Sequence, residues 1–200
     1  MKKEVWNHNF AYHKWILKQI KGKKRILDVG CGDGSLVYKL ANKNNYVVGI
    51  DVDSKALSVA EQNNYYDNIR FIERDFLVHN FKKEKFDVII FVASIHHMDM
   101  ERALVKARTL LNRNGIILIV GLSKPSSIFD YTLDVLRVVP SMIISKIKGN
   151  KTSEDLNIDV NYNFPKMNYI RDICKKNLPK YKIRYGLHYR YLLYWKNRYK

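Results

Sequence analysis

An α/β domain built on a doubly wound, mostly parallel seven-stranded sheet is the fold this sequence predicts. Short, continuous apolar runs alternate with helical patterns of about ten residues, as in a parallel sheet covered on both faces. A glycine-rich turn follows the first apolar run, where a strand hands over to a helix. Near the end, two runs at residues 181–187 and 189–195 flank Gly186 and predict an antiparallel hairpin closing the sheet.

Each element follows from local pattern. Residues 1–22 carry Val5, Phe10, Tyr12, Trp15, Ile16 and Ile20 at roughly helical spacing, which predicts an N-terminal helical cap ended by Gly22 and the basic run 23–25. Residues 25–29 form the first strand, and residues 35–42 a helix with Leu36, Val37 and Leu40 on one face. Strand 46–50 and helix 54–62 repeat the unit, and strands 69–73 and 86–92 come next. A helix at 100–111 follows, and Gly115 introduces a fifth strand at 116–120.

Residues 122–165 break the alternation. Pro125, Ser126 and Ser127 can start a helix there, and Pro140 should break or kink it. Its many apolar residues, Ile128, Phe129, Leu133 and Val139 among them, predict either a lid over a partly apolar substrate or a satellite core on strand five. A helix at 166–177 leads into the closing hairpin. The whole is expected to be a single domain spanning residues 1–200.

Composition narrows the class. At 200 residues the chain can bury roughly 70% of its unfolded surface and needs no staple. Hydrophobic residues at 46% and charged residues at 28% argue against wholesale disorder. Cys31 and Cys174 make neither a disulfide framework nor a zinc cluster, so no metal site is expected. Apolar runs such as 116–120 fall far short of the ~20 residues of a membrane span, and the first ten residues lack the apolar core of a signal peptide. A cytoplasmic protein is the expectation.

Net charge is +17, and its distribution is uneven. Residues 1–25 carry +7, residues 26–140 carry 0 and residues 141–200 carry +10. Basic ends can attract nucleic acid, an anionic membrane face or an acidic substrate, or can simply be solvated surface.

The glycine turn reads LDVGCGDG, residues 27–34. A dinucleotide fingerprint would put its third glycine at position 35, which is Ser; the third glycine here is Gly34. Asp28 and Asp33 beside the turn would repel a pyrophosphate and welcome a cation. A ligand with an adenosine and a positively charged amino-acid tail suits this chemistry better. Asp51 ends the second strand, about 20 residues on, where a carboxylate can accept both ribose hydroxyls. Asp53 better suits capping the following helix. Asp75, after the third strand, can accept the exocyclic amine of adenine with Phe76 packed beside the ring, or can be a plain loop residue.

The segments LDVGCGDG, VVGIDVD, FIERDF, KFDVIIFVASIHHM and LLNRNGIILIV resemble, in order and spacing, the motifs of class I S-adenosylmethionine-dependent methyltransferases over roughly residues 23–121. That resemblance implies S-adenosylmethionine as cofactor and a Rossmann-like sheet with the added hairpin. It implies that Asp28, Gly30, Cys31 and Gly32 surround the methionine moiety and that Asp51 holds the ribose. Val52 would pack on adenine, Asp75 with Phe76 would read its edge, and Val92 and Ala93 would line the site near the sulfonium.

Methyl transfer needs chiefly that an acceptor atom be held in line with the methyl group. If a general base is used, His96 and then His97 are nearest, with His8 and His13 able to reach over from the N-terminal helix. Cys31 is expected to fill space rather than attack. The acceptor is expected to be a small molecule, methylated on oxygen, nitrogen or carbon. An RNA- or protein-modifying enzyme using its basic termini is the alternative, disfavoured because Ala93-Ser94-Ile95-His96 stands where an Asn-Pro-Pro-Tyr motif would.

Overall fold

The computed structural model describes residues 9–63, 66–126, 164–187 and 189–198. The expected polar and apolar halves of the 122–165 segment, and His8, fall almost wholly outside them.

Helix α1, Phe10–Gln19, precedes strand β1, Arg25–Val29, helix α2, Ser35–Ala41, and strand β2, Tyr46–Asp51. Helix α3, Ser54–Gln62, leads to β3, Ile69–Glu73, and then β4, Phe86–Val92. A short 3-10 turn, Ile95–His97, opens onto α4, Met100–Leu110, and β5, Leu111–Leu122. Helix α5, Met167–Asn177, and strands β6, Lys182–Tyr185, and β7, Arg190–Lys196, complete the described elements.

The seven strands form one sheet in the order β3-β2-β1-β4-β5-β7-β6. The first five are parallel, while β7 runs antiparallel to β5 and β6 antiparallel to β7. The expected fold class holds, and the hairpin adds a detail: its second strand inserts beside β5 and leaves β6 at the edge. β5 is longer than the expected 116–120 because Leu111 already pairs with Phe86, across a register shift between Phe86 and Val88.

Alternation along the strands splits the core in two. Leu27, Val29, Ile89, Phe91, Ile117 and Ile119 face α4 and α5, packed with Phe76, Leu104 and Ile170. Ile26, Val47, Val88, Ile90, Leu118 and Val120 face the other way, against Ile16, Leu36, Val37 and Leu57 of α1, α2 and α3. Helix starts are fastened locally: Asp53 accepts from the Lys55 and Ala56 amides, and Asp99 from Arg102. Sealing two faces this way leaves functional groups only the ends of the strands and the loops beyond them.

Candidate functional site

The carboxyl ends of β1, β2 and β4 converge where the parallel sheet reverses its winding, the place where open α/β sheets build ligand sites. β1 stops at Val29 and the chain turns through Gly30, Gly32 and Gly34, all with positive φ, at 73°, 52° and 75°. Gly30 is held tight, its amide donating to the Ile50 carbonyl at 2.8 Å. At Gly32, by contrast, a Cβ would point into open space with nothing within 4 Å.

Two carboxylates bracket this turn. Asp51, half-buried, accepts the Gly32 amide through Oδ2 at 2.8 Å and the Asp53 amide through Oδ1 at 3.0 Å. Asp28 is 2% exposed, and its Oδ1 is buried without a hydrogen-bond partner. Burial, and then the Asp51 charge, push its pKa up from 3.8 to about 8, so at neutral pH it keeps its proton. A buried carboxyl oxygen left without a partner is rare in folded proteins.

Val52 stands 68% exposed beside Asp51, a large apolar surface next to the turn. Asp75 is also exposed and uses Oδ1 to accept the Leu77 amide at 2.6 Å. Phe76 corrects the expectation. Its side chain is 3% exposed and faces Phe91, with ring centroids 5.7 Å apart, so it packs in the core rather than beside a ligand. Cys31 is buried, and burial followed by the nearby Asp28 and Asp51 charges pushes its thiol far up, which fits a space-filling role.

Beyond β4, Val92 is half-buried and Ala93 takes a left-handed φ of 52° while its amide bonds to the Val120 carbonyl at 2.8 Å. Ser94 then donates its hydroxyl to the Val29 carbonyl, tying this turn to the glycine turn. His96 follows on the 3-10 turn, its ring 4.0 Å from that of His97 and edge-on to Phe164 at 5.2 Å. Its Nδ1 is buried without a hydrogen-bond partner, and burial, His97 and Arg190 lower its pKa to about 4. His96 is therefore neutral at physiological pH.

His13 is elsewhere: it lies buried on α1, its Nδ1 3.4 Å from Lys39 Nζ in the last turn of α2 and its ring 4.8 Å from Phe10. A ring committed to that packing does not reach over the glycine turn. Sequence reasoning missed Ser94 and Arg190. Arg190 is buried, donates to Asn9 Oδ1 at 2.7 Å and contributes to the field at His96. Its signal was an arginine opening a run, RYLLYWK, whose five middle residues are apolar or aromatic. Among the described residues, no three His, Cys, Asp or Glu side chains converge as metal ligands do.

The seven-stranded sheet, with its glycine turn at the carboxyl end of β1, defines a Rossmann-like α/β domain. Residues 20–178 match the family model of the methyltransferase domain, and the chain belongs to that family. An uncharacterized methyltransferase of Mycobacterium tuberculosis is 30% identical over 125 residues, covering 62% of this chain and 64% of that protein. A ubiquinone biosynthesis O-methyltransferase of Glaesserella parasuis is 27% identical over 114 residues, covering 53% of this chain and 48% of its own length. The chain thus spans between about half and two thirds of these relatives. Among solved structures, an N-methyltransferase of Bradyrhizobium japonicum in complex with S-adenosyl-L-homocysteine shares the fold, with a TM-score of 0.64 at 16% identity, over 96% of this chain and 89% of that one. Among the described residues, no helix is long and apolar enough to cross a membrane.

Proposed function

We propose that this protein transfers a methyl group from S-adenosylmethionine to a small-molecule acceptor. The observation that carries the reading is the pairing of the open Gly32 position with the buried Asp28, whose Oδ1 has no hydrogen-bond partner. A ligand with a cationic amino-acid end fits that donor set, whereas a pyrophosphate does not. Gly32 lets the ligand lie against the backbone, and the Asp28 carboxyl receives the ammonium group, giving up its proton as it does so. Asp51, with lone pairs remaining beyond its two amide bonds, accepts the ribose hydroxyls. Val52 offers its exposed apolar surface to one face of the adenine, and Asp75 accepts from its amine.

When bound, the cofactor supplies an electrophilic methyl group on sulfur, and the chain supplies position. Val92 and Ala93 wall the cleft beside the reacting centre. The α1 cap, fixed by the Tyr12 hydroxyl on the Leu187 carbonyl at 2.6 Å and by Asn9 on Arg190, covers the acceptor side. His96, neutral and half-buried on the 3-10 turn, would be the group that takes a proton from an acceptor hydroxyl or amine. The O- and N-methyltransferases among its relatives and structural neighbours are consistent with either acceptor atom.

Radiolabelled S-adenosylmethionine, offered with a panel of phenols, catechols and small amines, tests this reading. Transfer to at least one small acceptor is expected. Calorimetry showing no affinity for either S-adenosylmethionine or S-adenosylhomocysteine would sink it.

A further inference from the structure

A second concave surface lies at the other end of the sheet, between α1 and the β6–β7 hairpin. It is a groove of about 630 Å³. Among the described residues five cations line it, Lys180, Lys182, Arg184, Lys196 and Arg198, and no carboxylate does. Two half-buried rings, Trp15 and Tyr194, stand among them. The Arg184 guanidinium lies 5.7 Å from the Trp15 ring centroid, and Lys182 sits directly opposite Tyr194 in the antiparallel register.

We propose that this groove is a docking surface for single-stranded nucleic acid, bound without regard to sequence and separately from the methyl-transfer cleft. All five cations come from the basic C-terminal segment, while α1 contributes Trp15 and Gln19. Lys182 and Arg184 alternate on β6, so they repeat every second residue, about 6.7 Å apart along the strand. An extended phosphodiester backbone presents charges in such a row, and neutralising them releases counterions. The rings provide flat faces for bases, which stack without discriminating among them.

Edge protection does not account for the groove. An edge strand is shielded by charges of either sign and has no use for aromatic rings set between them. An acidic protein would match the charge but not the rings. A membrane surface is too broad to reach into a concave lining.

Nor does the groove present its occupant for methylation. Four strand spacings separate β6 from β1, about 19 Å, and Lys196 and Arg198 lie toward the opposite end of the strands from the glycine turn. The bound strand is an anchor.

Fluorescence anisotropy with short labelled oligonucleotides of two unrelated sequences provides the test, with inorganic polyphosphate, an acidic peptide and anionic vesicles as competitors. Both oligonucleotides should bind with similar affinity at low salt. The exposed double variant Lys182→Glu/Arg184→Glu should weaken them at least about tenfold and flatten the salt dependence, leaving S-adenosylmethionine affinity unchanged. Trp15→Ala should weaken oligonucleotides but not polyphosphate, which has no bases. Polyphosphate competing as well as an oligonucleotide, with Trp15→Ala affecting both alike, would mean plain ion exchange and overturn the proposal. Preferential capture of the peptide or vesicles would overturn it too, and so would unchanged binding by the charge-reversed variant, which stays informative even if Trp15→Ala fails to fold.

Discussion

The backbone of Gly30 passes so close to Ser94 that a Cβ on the glycine would stand 2.3 Å from the serine's own Cβ. Two loops from different strands, β1 and β4, therefore share one position in which only a hydrogen fits. Gly30→Ala should cost about 2–4 kcal/mol, from the left-handed φ of 73° and from overpacking. Thermal or urea unfolding measures it.

Gly32→Ala separates stability from binding. Its Cβ meets nothing, so only the strain of a φ of 52° is felt, about 1 kcal/mol. The methyl group nevertheless occupies the space where a ligand would lie against the turn. The variant should melt only slightly lower yet bind S-adenosylmethionine far more weakly, and Gly32→Val should abolish binding. Wild-type affinity in Gly32→Val would remove the turn from the site.

Asp51→Ala should weaken S-adenosylmethionine and S-adenosylhomocysteine equally, because the ribose is common to both. Losing hydrogen bonds from a charged acceptor costs about 1.5–3 kcal/mol, or roughly ten- to a hundredfold in affinity. Part of that loss comes from freeing the Gly32 amide, which Asp51 holds at 2.8 Å. Calorimetry on both ligands decides the equality.

Asp28 makes binding and stability depend on pH. Its folded-state pKa, about 8, lies above the unfolded value of 3.8. Between those values the folded protein holds a proton that the unfolded chain releases, so this group's contribution falls as pH rises through the window. Asp28→Asn should flatten the decline and raise stability near pH 8. Receiving the ligand's ammonium requires the ionised form, so binding near neutrality should release a proton. Calorimetry in buffers of different ionisation enthalpy should detect that proton in the wild type and not in Asp28→Asn.

Two histidines, His13 buried and His96 half-buried, act in the opposite direction. His13, through burial and then Lys39, and His96 both lie near 4, below the unfolded 6.5. Between those values the unfolded chain binds more protons, so stability is lost as pH falls through the window. For His13, 5% exposed, the loss approaches about 3 kcal/mol. Imidazole proton resonances that titrate near 6.5 at these two positions would refute the assignment.

The fold and the cleft were legible in the sequence to different depths. Continuous apolar runs, glycines between strand and helix, and Asp residues at strand ends carry their own geometric meaning, so the strands, the turn and the place of Asp51 at the end of β2 could be read directly. Phe76 could not, because alternation is lost in the loop after β3 and nothing local says which way its ring turns. His13 was misjudged for a related reason: its partner Lys39 is 26 residues away. The convergence of Trp15 with Arg184 depends on how α1 packs over the hairpin, a long-range relationship that composition reveals only as two separate basic ends.

The place of β7 in the sheet has a kinetic consequence. Ile119 pairs with Leu193, and Ile116 with Lys196, across longer sequence separations than any other strand pairing of the described sheet. The five parallel strands can pair as they form, but the flank of β5 stays unpaired and adhesive until residues 190–196 arrive to cover it and bury Tyr191 and Trp195. High contact order of this kind slows the last step of folding. A chain paused before β7 joins would expose one long apolar edge, where misassociation between neighbouring nascent chains should begin.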